Sequence, residues 1–349
     1  MKIYAGIDLH SNNAVCGLVD GSGRRLERKK LANELGEIER VLRPHKARLE
    51  QVAIEATYNW YWLVDGLQDQ GYPVVLANPA AMHQYEGIKH TDDVSDAFFV
   101  AELSRLGILP TAHICERKLR PFRDMLRRRM LLVHQRTSLL LSLKSLYARN
   151  TGQRLSQGAV KALELEEIEE LFQHPADQLI AGEELKVIEQ LNQSIARIEK
   201  AVEACADKLP CYGRLKTLPG VGRILALTIT METADIRRFA SAGEYASYCR
   251  CVNTERQSNG KSKGQNNSKC GNKYLAWAFV EATHCARRCD PPCLKFYDRK
   301  KARTNTMVAT KALACKLSKA AWHIMSKDQD YDAGRVFPFL KENEKQAGT

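Results

Sequence analysis

The 349-residue sequence lacks any run of 18 consecutive apolar residues, so no segment is long enough to cross a bilayer as a helix. Its N-terminus carries Asp8 where a secretory signal would need its apolar segment, and a membrane partner is not expected. Paired metal-site spacing is missing too. Eleven cysteines are present, but Cys249-x-Cys251 and Cys285-x3-Cys289-x3-Cys293 do not repeat the C-x2-4-C pairing of zinc sites. In a reducing, cytoplasmic compartment they are expected as buried thiols rather than disulfides.

What is abundant is positive charge. Fifty-three Lys and Arg against 41 Asp and Glu give +12, and an anionic partner is the first inference. The excess is uneven along the chain. Residues 209–327 carry +15, residues 116–150 carry +8, and residues 159–208 carry −7. That layout suits a phosphate-rich ligand better than general solubility does. With 44% hydrophobic and 27% charged residues, the composition is that of a globular chain of two or three domains.

Residues 2–8 and 14–19 read as two strands of a hairpin. They are followed by a helix-like segment at 33–47, a strand at 50–55, a helix at 59–70, a strand at 73–77, a helix at 93–106 and a short strand at 111–115. Strand pair first and then alternation predicts a mixed α/β sheet. Residues 117–150 form a basic helix. Ile188, Leu191, Ile195, Ile198, Val202 and Cys205 follow heptad spacing, which suits a short coiled coil, an antiparallel helical hairpin or one packed helix face. Beyond Pro210, helices are expected at 223–231, 241–248, 272–288 and 306–325. Residues 253–272 contain no large apolar side chain and read as a loop, disordered or ordered by a ligand. Residues after 336 read as a tail.

Asp8 and Glu55 each end a strand, and Asp93 and Asp96 stand at i,i+3 where a helix begins. Neighbouring strands would bring the first two together, and the helical spacing puts the second two on one face. Four carboxylates at a sheet edge repel one another unless cations intervene, and hard oxygen ligands in that number suit two Mg2+ ions in phosphodiester chemistry. The plainer readings are strand-end turn residues for Asp8 and Glu55 and a helix cap for Asp93. Asp92 is a rival to Asp93 as ligand.

Leu218-Pro-Gly-Val-Gly222 has the form of a helix-hairpin-helix, in which Gly220, Gly222 and Arg223 would meet a phosphate at a helix N-terminus. The same turn also suits two packed helices. Ser258 lies among Arg256, Lys261, Lys263 and Lys269. Those cations would hold a scissile phosphate beside the hydroxyl, or simply grip a nucleic-acid backbone with no covalent role.

Gly6-Ile-Asp8, Ile54-Glu55-Ala56, Asp93-x-x-Asp96-Ala97 leading to Gly107, Leu218-Pro-Gly-Val-Gly222, and Ser258-x-Gly260 through Ser268-Lys-x-Gly-Asn272 stand in the order found in DEDD-type insertion-sequence transposases. The chain resembles that family over residues 2–327. The resemblance implies a RuvC-like, RNase H-fold α/β domain at 1–150, including the basic helix, and a helical coiled-coil region at 151–208. A mainly helical transposase domain at 209–335 and a tail at 336–349 would follow. It further implies Mg2+ at Asp8, Glu55, Asp93 and Asp96, Ser258 as the nucleophile of a covalent DNA intermediate, and a structured noncoding guide RNA that pairs with donor and target DNA. The enzyme would act as a homo-oligomer, dimer or tetramer, in the prokaryotic cytoplasm beside the nucleoid. Relatives often carry paired serines where Gln257 and Ser258 stand here.

Other functions remain open on the residues alone. A metal-dependent junction-resolving nuclease or a DNA invertase without guide RNA needs the same carboxylates. A noncatalytic nucleic-acid-binding protein needs only the basic surfaces. Gly6-Ile-Asp8 also resembles the phosphate hairpin of actin-like ATPases and sugar kinases, but the second glycine-rich hairpin of that group has no counterpart here.

Overall fold

The computed structural model describes residues 1–88, 93–206, 209, 211–252, 255–259, 261–265 and 270–338, with backbone alone at 86–88, 93–95, 255–258 and 262–265. Contacts divide the chain into two units, Met1–Arg117 with Asn267–Cys270, and Lys118–Asn266 with Gly271–Thr349. Most of the expected tail, residues 339–349, lies outside the described residues.

The first unit is built on strands β1 (Ile3–Leu9), β2 (Asn13–Asp20), β3 (Arg25–Ala32), β4 (Leu49–Glu55), β5 (Val74–Ala77) and β6 (Thr111–Ala112). They form one sheet in the order β3-β2-β1-β4-β5-β6. The β1–β2, β2–β3 and β5–β6 pairs are antiparallel, and β1–β4 and β4–β5 are parallel. An antiparallel meander joined to parallel strands in the order 3-2-1-4-5 is the RNase H-like arrangement that the resemblance implied. Helices α1 (Leu35–Leu42), α2 (Tyr61–Asp69), the short α3 (Pro79–Met82) and α4 (Asp93–Arg105) complete the unit.

Strand alternation assigns the two faces. Ile3, Ala5, Ile7 and Leu9 point toward α1 and α2, where Ile38, Leu42, Leu63 and Leu67 close a core. The even positions of β1 face α4, whose Phe98 and Ala101 pack with Val19 and whose Val100 and Leu103 pack with Ala53. Asp8 therefore lies on the α4 side of the sheet. The edge strand β3 was not expected from sequence, because Arg25–Ala32 is largely exposed and basic and shows no buried alternation.

The second unit begins with α5 (Arg120–Thr151), followed by α6 (Gln157–Ala162), α7 (Ile168–Leu171) and α8 (Pro175–Glu203). The basic helix, grouped with residues 1–150 on sequence grounds, makes its extensive packing against α8 here. The two run antiparallel, since Arg129 bonds Glu199, Arg136 bonds Asn192 and Ser142 bonds Glu184. Ile188, Ile195 and Val202 of the heptad seam are buried, so the seam is at least partly filled within the chain. A helical bundle follows: α9 (Tyr212–Leu215), α10 (Arg223–Thr233), α11 (Ala242–Tyr248), α12 (Lys273–Cys289), α13 (Pro291–Arg303), α14 (Thr306–Lys327) and α15 (Ala333–Val336). Leu227, Tyr245, Phe279, Leu313 and Leu317 form its core.

Between α11 and α12 the backbone folds as a hairpin rather than the loop expected at 253–272. Strands β7 (Glu255–Ser258) and β8 (Lys261–Gln265) pair antiparallel with Ser258 opposite Lys261. In sequence Asn259-Gly260 separates the two strands, and Asn259 has φ +53°. Asn-Gly is the preferred two-residue hairpin connection. The polar flanks concealed it.

Candidate functional site

The first unit draws the carboxyl ends of β1 and β4 together. Parallel pairing ends at Ile7 opposite Ile54, so Asp8 and Glu55 occupy the next step of adjacent strands, which run about 4.8 Å apart. Alternation directs Asp8 toward α4, and Glu55, two residues beyond Ala53, shares that side. Asp93 opens α4 and Asp96 lies one turn on. Asp8 is buried at 6% exposure, and Asp96 and Glu55 are half-buried. The side chain of Asp93 and all of Asp92 lie outside the described residues.

Gly6 makes this arrangement sterically accessible. A Cβ there would overlap the Ala97 carbonyl oxygen and crowd the Ala101 nitrogen of α4. Because Gly6 has no side chain, the helix carrying Asp96 lies directly on the strand carrying Asp8. Sequence reading noted the glycine only as part of a motif.

His10 was missed. Its Nε2 lies 3.0 Å from Asp8 Oδ2, and its carbonyl accepts from Asn33 Nδ2 (3.1 Å) and Asn59 Nδ2 (3.0 Å). Those amides fix the β1–β2 turn that presents the imidazole. Aspartate-x-histidine at a strand end is the only sequence signal for it, and it is a weak one.

Among the described residues no group of three or more His, Cys, Asp or Glu is placed to hold a metal. The donor set Asp8, Glu55 and Asp96 nevertheless fits a hard divalent cation in kind, being all carboxylate oxygen on one sheet edge. Four buried cysteines are held as thiols. Burial pushes the Cys16 and Cys251 thiols up to about 12 and raises Cys249 and Cys293 well above the ordinary thiol range, which suppresses the thiolate.

In the second unit the chain flanking the Ser258 hairpin is held together across Tyr248 to Asn272. Asn272 N–H donates to Tyr248 O at 2.6 Å, and Arg250 Nη2 donates to Gly271 O at 3.0 Å. Asn272 Oδ1 then caps α12 by accepting from Tyr274 and Leu275 N–H. Its Nδ2 donates to Glu232 Oε2 at 2.7 Å. Glu232, only 1% exposed at its side chain, also receives Nε (2.6 Å) and Nη2 (2.8 Å) of Arg127. Arg127 stacks 4.5 Å over the Tyr274 ring. Sequence reasoning missed Glu232, whose one signal is a lone charge closing the uncharged run Ile224–Met231. A buried charge requires such partners.

Lys261 is exposed on the hairpin. Of Ser258, Arg256 and Lys263 the backbone is described, and Lys269 lies outside the described residues. At the glycine turn, Gly220 has φ +77°, and a Cβ would overlap the Ala282 carbonyl of α12. Packing therefore accounts for Gly220. Gly222 opens α10 with unobstructed space around it, and Arg223 reaches Glu203 at 3.3 Å.

Comparison with known proteins agrees over both units. A DEDD-type IS110 transposase model matches residues 5–149, and the model "Transposase IS116/IS110/IS902 family" matches residues 212–298. A Pseudomonas aeruginosa protein named as a probable family 20 transposase is 25% identical over 298 residues, covering 81% of this chain and 86% of its own. An IS110 insertion-element protein of 43.6 kDa from Streptomyces coelicolor is 28% identical over 109 residues, 31% of this chain and 27% of its own. Among solved structures, T. thermophilus RuvC in complex with a Holliday junction substrate aligns at 20% identity and a TM-score of 0.25, over 32% of this chain and 100% of that one.

Proposed function

The chain belongs to the IS110-type DEDD transposases of insertion sequences, and from that premise we propose that it cuts and rejoins DNA strands at a carboxylate site and a serine hairpin. The observation that carries this reading is the placement of Asp8 and Glu55 on adjacent strand ends beneath the helix of Asp93 and Asp96. A divalent cation, Mg2+ in this proposal and two per site, would be held by Asp8, Glu55, Asp93 and Asp96. It would supply charge neutralisation at the attacking and leaving oxygens.

Ser258 ends β7, and its hydroxyl attacks the scissile phosphorus. The Oγ–P bond forms as the P–O bond to one deoxyribose breaks, and the serine proton passes in net to the released hydroxyl. The phosphodiester energy is retained in the phosphoserine, so rejoining to a new strand needs no added cofactor. Arg256, Lys261 and Lys263 supply positive charge on the same hairpin, where it would offset the phosphate's developing charge.

Donor and target DNA are the substrates, and a structured noncoding guide RNA from the element's flank chooses the sites by pairing. A homo-oligomer, dimer or tetramer, brings the strands together. The test is strand exchange by the full chain on a plasmid carrying the element's ends, with and without the flanking transcript. Asp8→Asn and Ser258→Ala should each abolish exchange, and only chains retaining Ser258 should leave DNA attached to protein on a denaturing gel. Full exchange by Ser258→Ala would refute the nucleophile, and exchange without the transcript would refute RNA guidance.

A further inference from the structure

A cavity of about 350 Å3 lies between α14 and the segment 329–336, at the opposite end of α14 from its N-terminus at Thr306. Lys316, Lys319, His323 and Lys327 line it from α14, and Arg335 lines it from α15. Their spacing of three or four residues puts these α14 side chains in one row, about 16 Å from first to last at 1.5 Å per residue. The site lies in the second unit and shares no residue with the serine hairpin.

The row is available to a ligand. Lys319 and Lys327 make no hydrogen bond or ion pair among the described residues, and both are exposed. Lys316, by contrast, is part of the wall. Its Nζ donates to Val336 O at 2.9 Å and lies over the Phe296 and Phe337 rings. The two acids in the lining are already engaged. Asp330 accepts from Arg214 Nη1 at 3.2 Å, while Asp332 caps α15 and pairs with Arg335 at 3.2 Å. Burial lowers the pKa of Lys316, and Lys319 lowers it further, as expected for a partly buried ammonium beside a like charge.

We propose that this cavity is a second nucleic-acid contact, in which the backbone phosphates of a DNA or RNA strand lie along Lys319 and Lys327 with Arg335 on the opposite wall. The proposal rests on the nucleic-acid reading given above. A strand presents one charge per about 3.4 Å of axis, so the row spans several phosphates. A small anion would instead call for donors converging on one point. A membrane surface would call for apolar insertion beside the charges, and none of the large exposed apolar residues, such as Leu294 and Met307, lines the cavity.

The experiment measures fluorescence anisotropy of the full chain with a labelled 30-nucleotide strand and the matching duplex between 50 and 200 mM salt. Lys319→Gln/Lys327→Gln should weaken binding about tenfold at low salt and flatten the slope of log K against log salt by roughly 1 to 2, since each lost phosphate contact removes about one unit. Lys161→Gln/Lys186→Gln, an equal charge change on exposed sites of α6 and α8, should leave the slope unchanged. An unchanged slope in the cavity variant, or equal loss in both, overturns the site while leaving nucleic-acid binding intact. Loss confined to phosphatidylserine vesicles overturns it in favour of a membrane. If the unmodified chain binds neither oligonucleotide, the functional reading itself fails with it. Unchanged thermal midpoints establish that both variants fold.

Discussion

The Ala97 carbonyl of α4 lies against Gly6 of β1, in space that any Cβ would fill. This close approach sets the height of α4 above the sheet, and hence the position of Asp96 relative to Asp8. Gly6→Ala should push the helix outward, and overpacking of this kind costs about 1–3 kcal/mol. DNA cleavage should fall by at least tenfold even at temperatures where the chain stays folded, because a displacement of about 1 Å at a reacting centre is enough for larger losses. Circular dichroism melting beside a cleavage assay separates the two effects. Cleavage equal to that of the parent would show that α4 does not set the site.

A buried ion pair anchors the other unit. Arg127 meets Glu232 through two hydrogen bonds of 2.6 and 2.8 Å, with the carboxylate side chain 1% exposed. Removing one partner leaves a buried charge, so Arg127→Ala should cost about 3–5 kcal/mol. Replacing both by Met should cost much less for stability, since apolar side chains of similar volume often substitute a buried pair without penalty. Asn272 would then lose its Glu232 acceptor. Urea unfolding should therefore order the proteins parent, double variant, Arg127→Ala. A double variant as unstable as the single would mean that lost packing, not the uncompensated charge, dominates.

What the sequence revealed divides along physical lines. Strands β1, β2, β4 and β5 were legible because burial on both faces makes them short, largely apolar runs. Strand β3 was not, because an exposed edge carries charge instead. Helix α13 was overlooked although Asp290 and Pro291 mark its start, since its many basic residues hide the apolar face. The positions of Asp8 and Glu55 at strand ends, and of Asp93 and Asp96 on the first turn of a helix, were readable from the sequence pattern. Glu232 and Arg127 were not, because their pairing spans 105 positions and no local pattern encodes it, while His10 beside Asp8 had only the weak Asp-x-His signal.

The turn between β2 and β3 gives a pH signature. Asp20 accepts from the Ser22 hydroxyl (2.6 Å), from Ser22 N–H and from Arg24 N–H (3.0 Å each), and the Ser22 hydroxyl above all holds its carboxyl below the usual carboxylate range. A depressed folded pKa contributes stability above the unfolded value of about 3.9, and that contribution is lost as pH falls through the folded value. Ser22→Ala should raise the Asp20 pKa and narrow the difference in thermal midpoint between pH 7 and pH 3. An unaltered pH profile would show that the backbone donors alone set the turn.

His323 offers a reporter for the basic cavity. Burial lowers its pKa, and Lys327 and Arg335 lower it further; Lys316, Lys319, Asp330, Tyr331 and Asp332 are the other charged and titratable groups lining the cavity. In the free chain the imidazole therefore gives up its proton at a lower pH than an ordinary histidine does. Phosphates laid along Lys319 and Lys327 would offset the crowded positive charge and favour the imidazolium, so bound nucleic acid should raise the His323 pKa. By linkage, binding must then tighten as pH falls from the bound-state pKa toward the free-state one. Proton NMR of the His323 ring, titrated with and without a 30-nucleotide strand, reads the shift directly. His323→Gln should lose that part of the pH dependence while retaining the salt slope set by the lysines. A ring that titrates identically in both samples would place the phosphates elsewhere.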